Sequence, residues 1–158
     1  MYLDAGALVK AYAFEPGTEE VVAWHAQAEM VSTSKVAYIE VLTTLYRKRR
    51  AGEMSDGELS EKIEAFIRHW EAMRIVDLSD ELLQRFRNRA MRSGPRALDL
   101  IHLASALLLQ DYLTERVQFV CADRRLNEAA AAEGLSVRYP SPGLSSRVHC
   151  ETPFPTQP

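Results

Sequence analysis

Residues 117–139 read VQFVCADRRLNEAAAAEGLSVRY, and this stretch decides the fold class. The apolar run VQFVCA is typical of a buried strand, the residues after it have helical patterning, and LSVRY after Gly134 predicts another strand. Parallel neighbours in a sheet need a long crossover between them, usually a helix. The stretch therefore predicts an α/β fold.

The same alternation runs through the rest of the chain. Two more short apolar runs, MYLDA at residues 1–5 and AEMVST at residues 28–33, each precede a stretch with helical patterning. Alternating strands and helices are typical of a parallel sheet that is flanked by helices. We therefore expect a central, mainly parallel sheet.

Two long helices are predicted between the second and third of these apolar runs. Residues 34–50 and 55–73 have helical patterning and are joined by the short segment AGEM. Ser55 and Glu58 have the spacing of a capping box at the start of the second helix. The sequence therefore predicts a helical hairpin.

The second half of the chain changes character along its length. Residues 79–93 predict a further helix, and residues 97–112, ALDLIHLASALLLQDY, are apolar almost all round, which is typical of a buried helix. Residues 140–158 contain five of the seven prolines and show no helix or strand period. We expect one domain over residues 1–139 and a proline-rich, flexible tail over residues 140–158.

Composition limits the function classes. No segment approaches the roughly 20 apolar residues of a membrane span, and the first residues lack the basic start of a signal peptide, so a cytoplasmic protein is expected. Cys121 and Cys150 cannot make a disulfide framework and are expected as reduced thiols, and no Cys/His set has zinc spacing. The net charge of -3 gives no overall attraction to nucleic acid, so RNA binding would need local basic patches.

Three carboxylates lie where ligands gather in this class of fold. Asp4 and Asp123 each end a predicted strand, and Asp99 lies in the first turn of the buried helix. Each has a simple structural explanation, because an acid at a helix N-terminus accepts backbone N–H bonds and favours the helix dipole. The carboxyl ends of strands are also where ligands bind in open α/β sheets, and this shared position favours a site.

Glu40 is a fourth candidate, within the helical stretch KVAYIEVLTTLYRKR. An exposed helical glutamate is the simpler explanation, although its helical neighbours form a mixed face. Clustered carboxylates repel one another unless a cation lies among them. Hard oxygen ligands without Cys or His select Mg²⁺ or Mn²⁺, and such sites usually direct water against a phosphodiester. Spacing alone does not group these four acids.

Four ordered segments resemble the motifs of a known family. YLDAGALVKAY, VAYIEVLTTLYRKR, RALDLIHLASAL and FVCADRRLNEAAAAEGLSV resemble PIN-domain proteins, especially the VapC toxins of bacterial toxin–antitoxin modules. The resemblance covers about residues 1–139, and LDLIHLASAL is its most specific segment.

The resemblance implies a Rossmann-like α/β/α domain that binds Mg²⁺ or Mn²⁺ and cleaves RNA endonucleolytically, leaving 5′-phosphate and 3′-hydroxyl ends. It also implies a homodimer, and a cognate antitoxin whose C-terminal segment fills the groove. Carried over by position, the acids that hold the metal and carry the catalysis are Asp4, Glu40, Asp99 and Asp123.

Two positions depart from the family pattern. Gly6 stands where Ser or Thr usually follows the first acid by two residues, and Cys121 stands where a hydroxyl residue often precedes the last acid by two. Each lost hydroxyl could orient an acid or a metal-bound water, and such losses cost about 10- to 100-fold in affinity or activity. Weakened metal binding is therefore expected.

Basic and imidazole side chains near these acids are secondary candidates. Arg124 and Arg125 directly follow Asp123 and are the better candidates for contacts with RNA phosphates. Lys10 is typical of the resembling family, although a solvated lysine explains it equally. His102 lies one helical turn after Asp99 and could face the same pocket, but a packed core histidine is the simpler interpretation.

Three alternatives stay open. The chain could be a PIN-domain nuclease of RNA processing without an antitoxin, or a catalytically silent binding module whose acids only cap helices. An aspartyl phosphatase of the haloacid type needs an aspartate two residues after its nucleophile, and Gly6 in that position argues against it.

Overall fold

Strands and helices alternate along the computed structural model, which describes residues 1–90 and 96–141. The elements in chain order are β1 (Tyr2–Leu3), α1 (Ala5–Tyr12), α2 (Thr18–Ala26), β2 (Ser32–Ser34), α3 (Ala37–Arg50), α4 (Asp56–Ala72), β3 (Arg74–Val76), α5 (Asp80–Ala90), α6 (Ala97–Tyr112), β4 (Gln118–Val120), α7 (Arg124–Ala132) and β5 (Ser136–Arg138).

The strands form one parallel sheet with the order β3-β2-β1-β4-β5. From the central β1 the chain first adds β2 and β3 on one side, and then crosses to add β4 and β5 on the other. The strand order therefore reverses between β1 and β4, and ligands of open α/β sheets bind beyond the carboxyl ends of the strands at such a point. The predicted parallel α/β fold is confirmed.

The strand β3 is not among the strands predicted from the sequence. It is a three-residue edge strand whose side chains are exposed or half-buried. Such a strand needs no apolar run, because it pairs with a single neighbouring strand and its side chains are at most half-buried. Pairing with β2, with Thr33 opposite Ile75, is what makes it a strand.

The sheet has a hydrophobic core on each face, and alternate strand residues point to opposite cores. Leu3 and Val120 belong to the core built with α1, α3 and α4. Tyr2 and Phe119 belong to the core built with α6 and α7. In α6 nine residues are buried, which confirms the central helix expected from the apolar sequence of this segment.

Local signals place most of the helix starts. Ser55 caps α4 and forms the predicted capping box with Glu58, and α3 and α4 form the predicted hairpin. The Ser79 hydroxyl accepts the Leu82 N–H at the start of α5. The predicted end of that helix near residue 93 lies outside the described residues.

The predicted tail lies outside the described residues beyond Ser141, so the division into a domain and a tail stays a prediction. Cys121 is a free, buried thiol, and Cys150 also falls outside the described part of the chain. No helix among the described residues is both long enough and apolar enough to cross a bilayer.

Candidate metal and RNA site

Asp4 lies directly after β1, at the point where the strand order reverses. Its Oδ1 accepts the N–H of Ala7 at 2.6 Å and so caps α1, and its own N–H donates to the carbonyl of Val120 in β4 at 3.1 Å. These bonds fix the carboxylate between β1 and β4. Only 7% of Asp4 is exposed. A buried carboxylate is costly unless a proton or a cation compensates its charge.

The electrostatics of Asp4 couple it to its neighbours. Burial raises the pKa of the Asp4 carboxyl group, and the negative charge of Glu40 acts in the same direction. His102 and Cys121 act in the opposite direction. Asp4 and Glu40 thus interact across 36 positions of sequence, and a divalent cation beside them would replace their repulsion with attraction.

Glu40 reaches the site from α3, the helix that follows β2. Its Oε2 lies 2.9 Å from Nε2 of His102 in α6, and 24% of the Glu40 side chain is exposed. The other ring nitrogen of His102, Nδ1, lies 3.0 Å from the hydroxyl of Tyr2 in β1. Glu40 is therefore not the freely solvated helical glutamate that the simpler explanation assumed.

Asp99 and Asp123 both lie at helix starts. Asp99 Oδ2 accepts the backbone N–H of Arg96 at 3.2 Å at the start of α6. Asp123 is exposed, and its Oδ1 accepts the N–H groups of Arg125 and Leu126 at the start of α7. Capping accounts for these bonds, and ligation of a metal by the two acids stays a prediction.

Cys121 lies between two of the acids. The N–H of Asp123 donates to the Cys121 sulfur, with the nitrogen 3.2 Å from Sγ. Burial raises the pKa of the Cys121 thiol, and the charges of Asp4 and Asp123 act in the same direction. The thiol is therefore neutral, and its sulfur holds the backbone at the end of β4.

The donor chemistry of this edge suits a hard divalent cation. In each of the four carboxylates, nitrogen donors of the described residues contact only one oxygen. Across residues 1–90 and 96–141, no three His, Cys, Asp or Glu side chains form a group able to hold a metal ion. Mg²⁺ keeps several waters and is usually bound through one or two carboxylates and substrate phosphates. Asp4 and Glu40 supply two carboxylates, and their ligation of a metal stays a prediction.

The predicted phosphate contacts fall into two groups. Arg124 and Arg125 are exposed at the start of α7, beside Asp123, and the long pairing of Arg124 with Glu128 at 3.4 Å leaves its guanidinium accessible. Lys10 is buried, and its ammonium group donates to the Pro16 carbonyl at 2.8 Å. This bond gives Lys10 a structural task in the turn after α1, and its contact with RNA stays a prediction.

Gly6 leaves space beside Asp4. A Cβ at residue 6 would lie 3.5 and 3.6 Å from the two Asp4 carboxylate oxygens and 3.9 Å from the Ala122 Cβ, which is ordinary van der Waals contact. A Cβ therefore fits here without displacing any neighbour, so the fold does not require glycine at this position.

Sequence reasoning undervalued His102 and did not consider Tyr2. The signal for His102 is its spacing of three residues from Asp99 along α6, which places both on one face of the helix. The signal for Tyr2 is its spacing of two residues from Asp4 at the end of β1, which places both on one face of the sheet. The sequence does not show that His102 contacts Glu40 of α3 or that Tyr2 contacts His102 of α6.

Comparisons with known proteins concern the family and the fold of the chain. The model of the PIN domain family matches residues 1–132 of this chain. Two relatives from Mycobacterium tuberculosis are Ribonuclease VapC45 of strain CDC 1551 / Oshkosh and Ribonuclease VapC49 of strain ATCC 25618 / H37Rv. Each is 31% identical over 137 residues, which cover 87% of this chain and 93% of the relative.

A solved structure shares the fold. One such structure is the crystal structure of VapBC2 from Rickettsia felis bound to a DNA fragment from its promoter. A chain of that structure superposes on this chain with a TM-score of 0.59. The match covers 88% of this chain and 98% of that chain at 12% sequence identity. At this identity the likeness concerns the fold alone.

Proposed function

The chain belongs to the PIN-domain family, and from this premise we propose that it is a divalent-metal-dependent endoribonuclease and the toxin of a type II toxin–antitoxin module. The observation that carries the proposal is the buried Asp4 carboxylate beside Glu40 at the reversal point of the sheet. A helix cap alone needs neither burial nor a second carboxylate. Both features suit a cation site.

The proposed cofactor is Mg²⁺ or Mn²⁺. Asp4 and Glu40 would hold the ion, and Asp99 and Asp123 are the further ligands proposed from the resemblance. A bound ion of this kind lowers the pKa of a coordinated water and stabilises charge on a phosphodiester. Asp4 is held by hydrogen bonds to Ala7 of α1 and Val120 of β4, and the Glu40 side chain is 24% exposed.

The RNA contacts are proposed at the start of α7. Arg124 and Arg125 lie beside Asp123 and are exposed. Arg124 pairs only loosely with Glu128, at 3.4 Å, so its guanidinium can bind a phosphate without breaking a short ion pair. Arginine forks bind phosphate oxygens at two points. The overall charge of -3 makes such a local patch necessary.

An antitoxin and a second copy of the chain are the proposed partners. Two exposed apolar side chains directly adjoin proposed site acids in sequence: Ile39, 68% exposed, precedes Glu40, and Leu98, 45% exposed, precedes Asp99. Apolar anchors beside an acidic pocket suit a partner segment that brings both apolar and basic side chains. The relatives named VapC support the antitoxin, and the second copy of the chain is proposed from the resemblance alone. We also propose a cytoplasmic location, which fits an RNA substrate and the free thiol of Cys121.

The decisive experiment compares isosteric variants of the four acids. Each of D4N, E40Q, D99N and D123N is expected to reduce Mn²⁺-dependent cleavage of RNA by at least about 10²-fold and to abolish growth inhibition, because a missing ligand disturbs the whole site. Asp56→Asn is the matched control, since Asp56 is an exposed acid in the first turn of α4 that pairs with Arg49. Circular dichroism checks that all variants fold.

The outcomes separate the alternatives. Cleavage that survives in all four acid variants would contradict the nuclease mechanism and leave the acids as helix caps. A parent protein that binds RNA without cutting it, with Mn²⁺ present, would identify a silent binding module. Cleavage without growth inhibition, and without a small gene next to this one, would favour an RNA-processing nuclease.

A further inference from the structure

A chain of hydrogen bonds connects Glu40 to the centre of the sheet. Glu40 Oε2 lies 2.9 Å from His102 Nε2, and His102 Nδ1 lies 3.0 Å from the Tyr2 hydroxyl. Exposure falls along this chain, from 24% of the Glu40 side chain to 3% of the His102 side chain and 0% of Tyr2. The three residues come from α3, α6 and β1, so the chain joins helices on both faces of the sheet.

The direction of these bonds follows from their donors and acceptors. The phenol of Tyr2 has a single O–H, which it can donate to Nδ1 of His102 across the 3.0 Å contact. A neutral imidazole that accepts at Nδ1 carries its own proton on Nε2, where it faces the Glu40 carboxylate. The opposite tautomer would turn a bare Nε2 lone pair toward Oε2, which is unfavourable in a buried contact.

We propose that Tyr2 and His102 are positioning residues of the active site, which hold Glu40 Oε2 through the Nε2–H tautomer of His102 and leave Oε1 for a divalent cation. The inference rests on the proposed function, since it assigns Glu40 the task of a ligand. Carboxylate ligands are commonly oriented by a hydrogen-bonded partner, and loss of that partner lowers metal affinity about 10- to 100-fold.

The packing explains why these two residues can hold Glu40 rigidly. The rings of Tyr2 and His102 meet edge to face, with centroids 6.1 Å apart, and Phe119 stacks on Tyr2 with centroids 5.6 Å apart. Both rings are thus held by packing as well as by hydrogen bonds. A glutamate on a helix has several rotamers of similar energy, and the fixed His102 ring selects one of them.

The first test reads the tautomer directly. Two-bond ¹H–¹⁵N correlation spectra of the full, ¹⁵N-labelled chain at pH 8 are expected to show His102 with its proton on Nε2, and the spectrum of His102→Gln assigns the signal. Tyr2→Phe is expected to shift the ring toward the Nδ1–H tautomer, because the phenol no longer donates to Nδ1. A proton on Nδ1 of His102 in the parent protein would overturn the proposal.

The second test measures metal binding without any need for activity. The Mn²⁺ concentration that gives half of the maximal rise in Tm is expected to increase about 10- to 100-fold in His102→Asn. His102→Gln is expected to stay near the parent value, because its amide nitrogen replaces Nε2 at the same distance from Cα. The Mn²⁺ concentration for half of the maximal rise in Tm of Tyr2→Phe is expected to lie between the values of these two variants.

Tyr12→Phe is the matched control. Tyr12 is a buried tyrosine whose hydroxyl also lies near a histidine Nδ1, 3.1 Å from that of His69, and it is at the far end of α1 from Asp4. It should lower Tm without changing the Mn²⁺ concentration at half-maximal effect. If Tyr2 has only a structural role, Tyr2→Phe would likewise lower Tm and leave the Mn²⁺ concentration at half-maximal effect unchanged.

The comparison with Glu40→Gln separates this inference from the proposed function. If Glu40→Gln binds Mn²⁺ as the parent does, Glu40 is not a ligand and the function proposed for it fails. If Glu40→Gln loses Mn²⁺ while His102→Asn and Tyr2→Phe bind it normally, the function stands and the positioning role is wrong. Tyr2→Phe keeps the shape of the core, so it decides the matter even if His102→Asn does not fold.

Discussion

A single carboxylate, Asp4, combines a helix-capping oxygen with the position proposed for a metal ligand. Oδ1 caps α1 through the Ala7 N–H, while the position of the side chain beside Glu40 suits a metal ligand. Capping and ligation are therefore compatible, because the cap needs only one of the two oxygens. A capping role of Asp4 therefore does not exclude a metal-binding role, and the burial of Asp4 near Glu40 favours the second role in addition to the first.

At the residue scale, Gly6→Ser is expected to strengthen metal binding. The new hydroxyl lies beside Asp4, where it can orient the carboxylate or a metal-bound water. Gly6→Ala is the control, since it adds the same Cβ without the hydroxyl. We expect Gly6→Ser to need about 10-fold less Mn²⁺ than Gly6→Ala for half of the maximal rise in Tm. Equal Mn²⁺ requirements would exclude a role for a hydroxyl at this position.

Helix starts are the elements that build the site. α1 begins after Asp4 at the end of β1, and α7 begins after Asp123 beyond the neighbouring strand β4. Two helix N-termini with their partial positive charge therefore lie at this edge of the sheet. Anions such as phosphate groups are favoured at such termini. Polar chemistry gathers here because the parallel strands end here and the helices that follow them must begin.

At the element scale, Arg124→Ala is expected to weaken RNA binding at the start of α7. Loss of one phosphate contact should lower affinity at low salt and reduce the salt slope of binding to single-stranded RNA by about 0.7. The measurement is a salt titration with D4N as the background, so that RNA is bound and not cut. Arg49→Ala is the control, because Arg49 is paired with Asp56. An unchanged slope in Arg124→Ala would place the phosphates elsewhere.

At the scale of the whole molecule, the fold buries a carboxylate, Asp4, at this edge of the sheet. A net charge of -3 is modest, but Asp4 is buried with Glu40 near it, and nothing cationic among the described residues forms an ion pair with Asp4. Stability is a small difference between large terms, so the cost of one buried charge matters. The metal-free fold is expected to carry this cost.

At the scale of the whole molecule, metal is expected to raise thermal stability. At a Mn²⁺ concentration about 100 times the dissociation constant the gain is about 2.7 kcal/mol. Asp4→Asn should lose most of this gain and, without metal at pH 7, should be more stable than the parent, because the buried charge is removed while an oxygen remains to cap α1. Thermal scans with and without Mn²⁺ measure both effects. An unchanged metal response in Asp4→Asn would exclude Asp4 as a ligand.

Acid sensitivity of the fold is expected to arise at His25, in α2. Burial lowers the pKa of His25 from 6.5 to about 4, with the charge of His69 acting in the same direction. The unfolded chain therefore binds more protons between these values, and stability falls as pH drops from 6.5 toward 4, by up to about 3 kcal/mol. Urea unfolding of His25→Gln should show a flatter pH dependence than the parent, with pH 8 as the reference. Equal slopes would contradict the shift.

The sequence alone determined the class of the fold. Apolar runs such as VQFVCA, helix caps such as Ser55 and the apolar helix 97–112 are local signals, and local patterns report the element that contains them. The sequence also placed Asp4 and Asp123 at strand ends, because a strand and the helix after it are neighbours in sequence. It did not predict the edge strand β3, whose formation depends on its pairing with β2.

Only the tertiary structure decided which side chains meet. Asp4 and Glu40, and Glu40 and His102, are brought together because β1, α3 and α6 pack at one edge of the sheet. Glu40 and His102 are 62 positions apart, so no periodic pattern in the sequence connects them. His102 belongs to a buried helix, and from the sequence a core histidine and a histidine that holds a carboxylate look alike. The difference lies in the partner across the sheet, which packing supplies and local pattern does not.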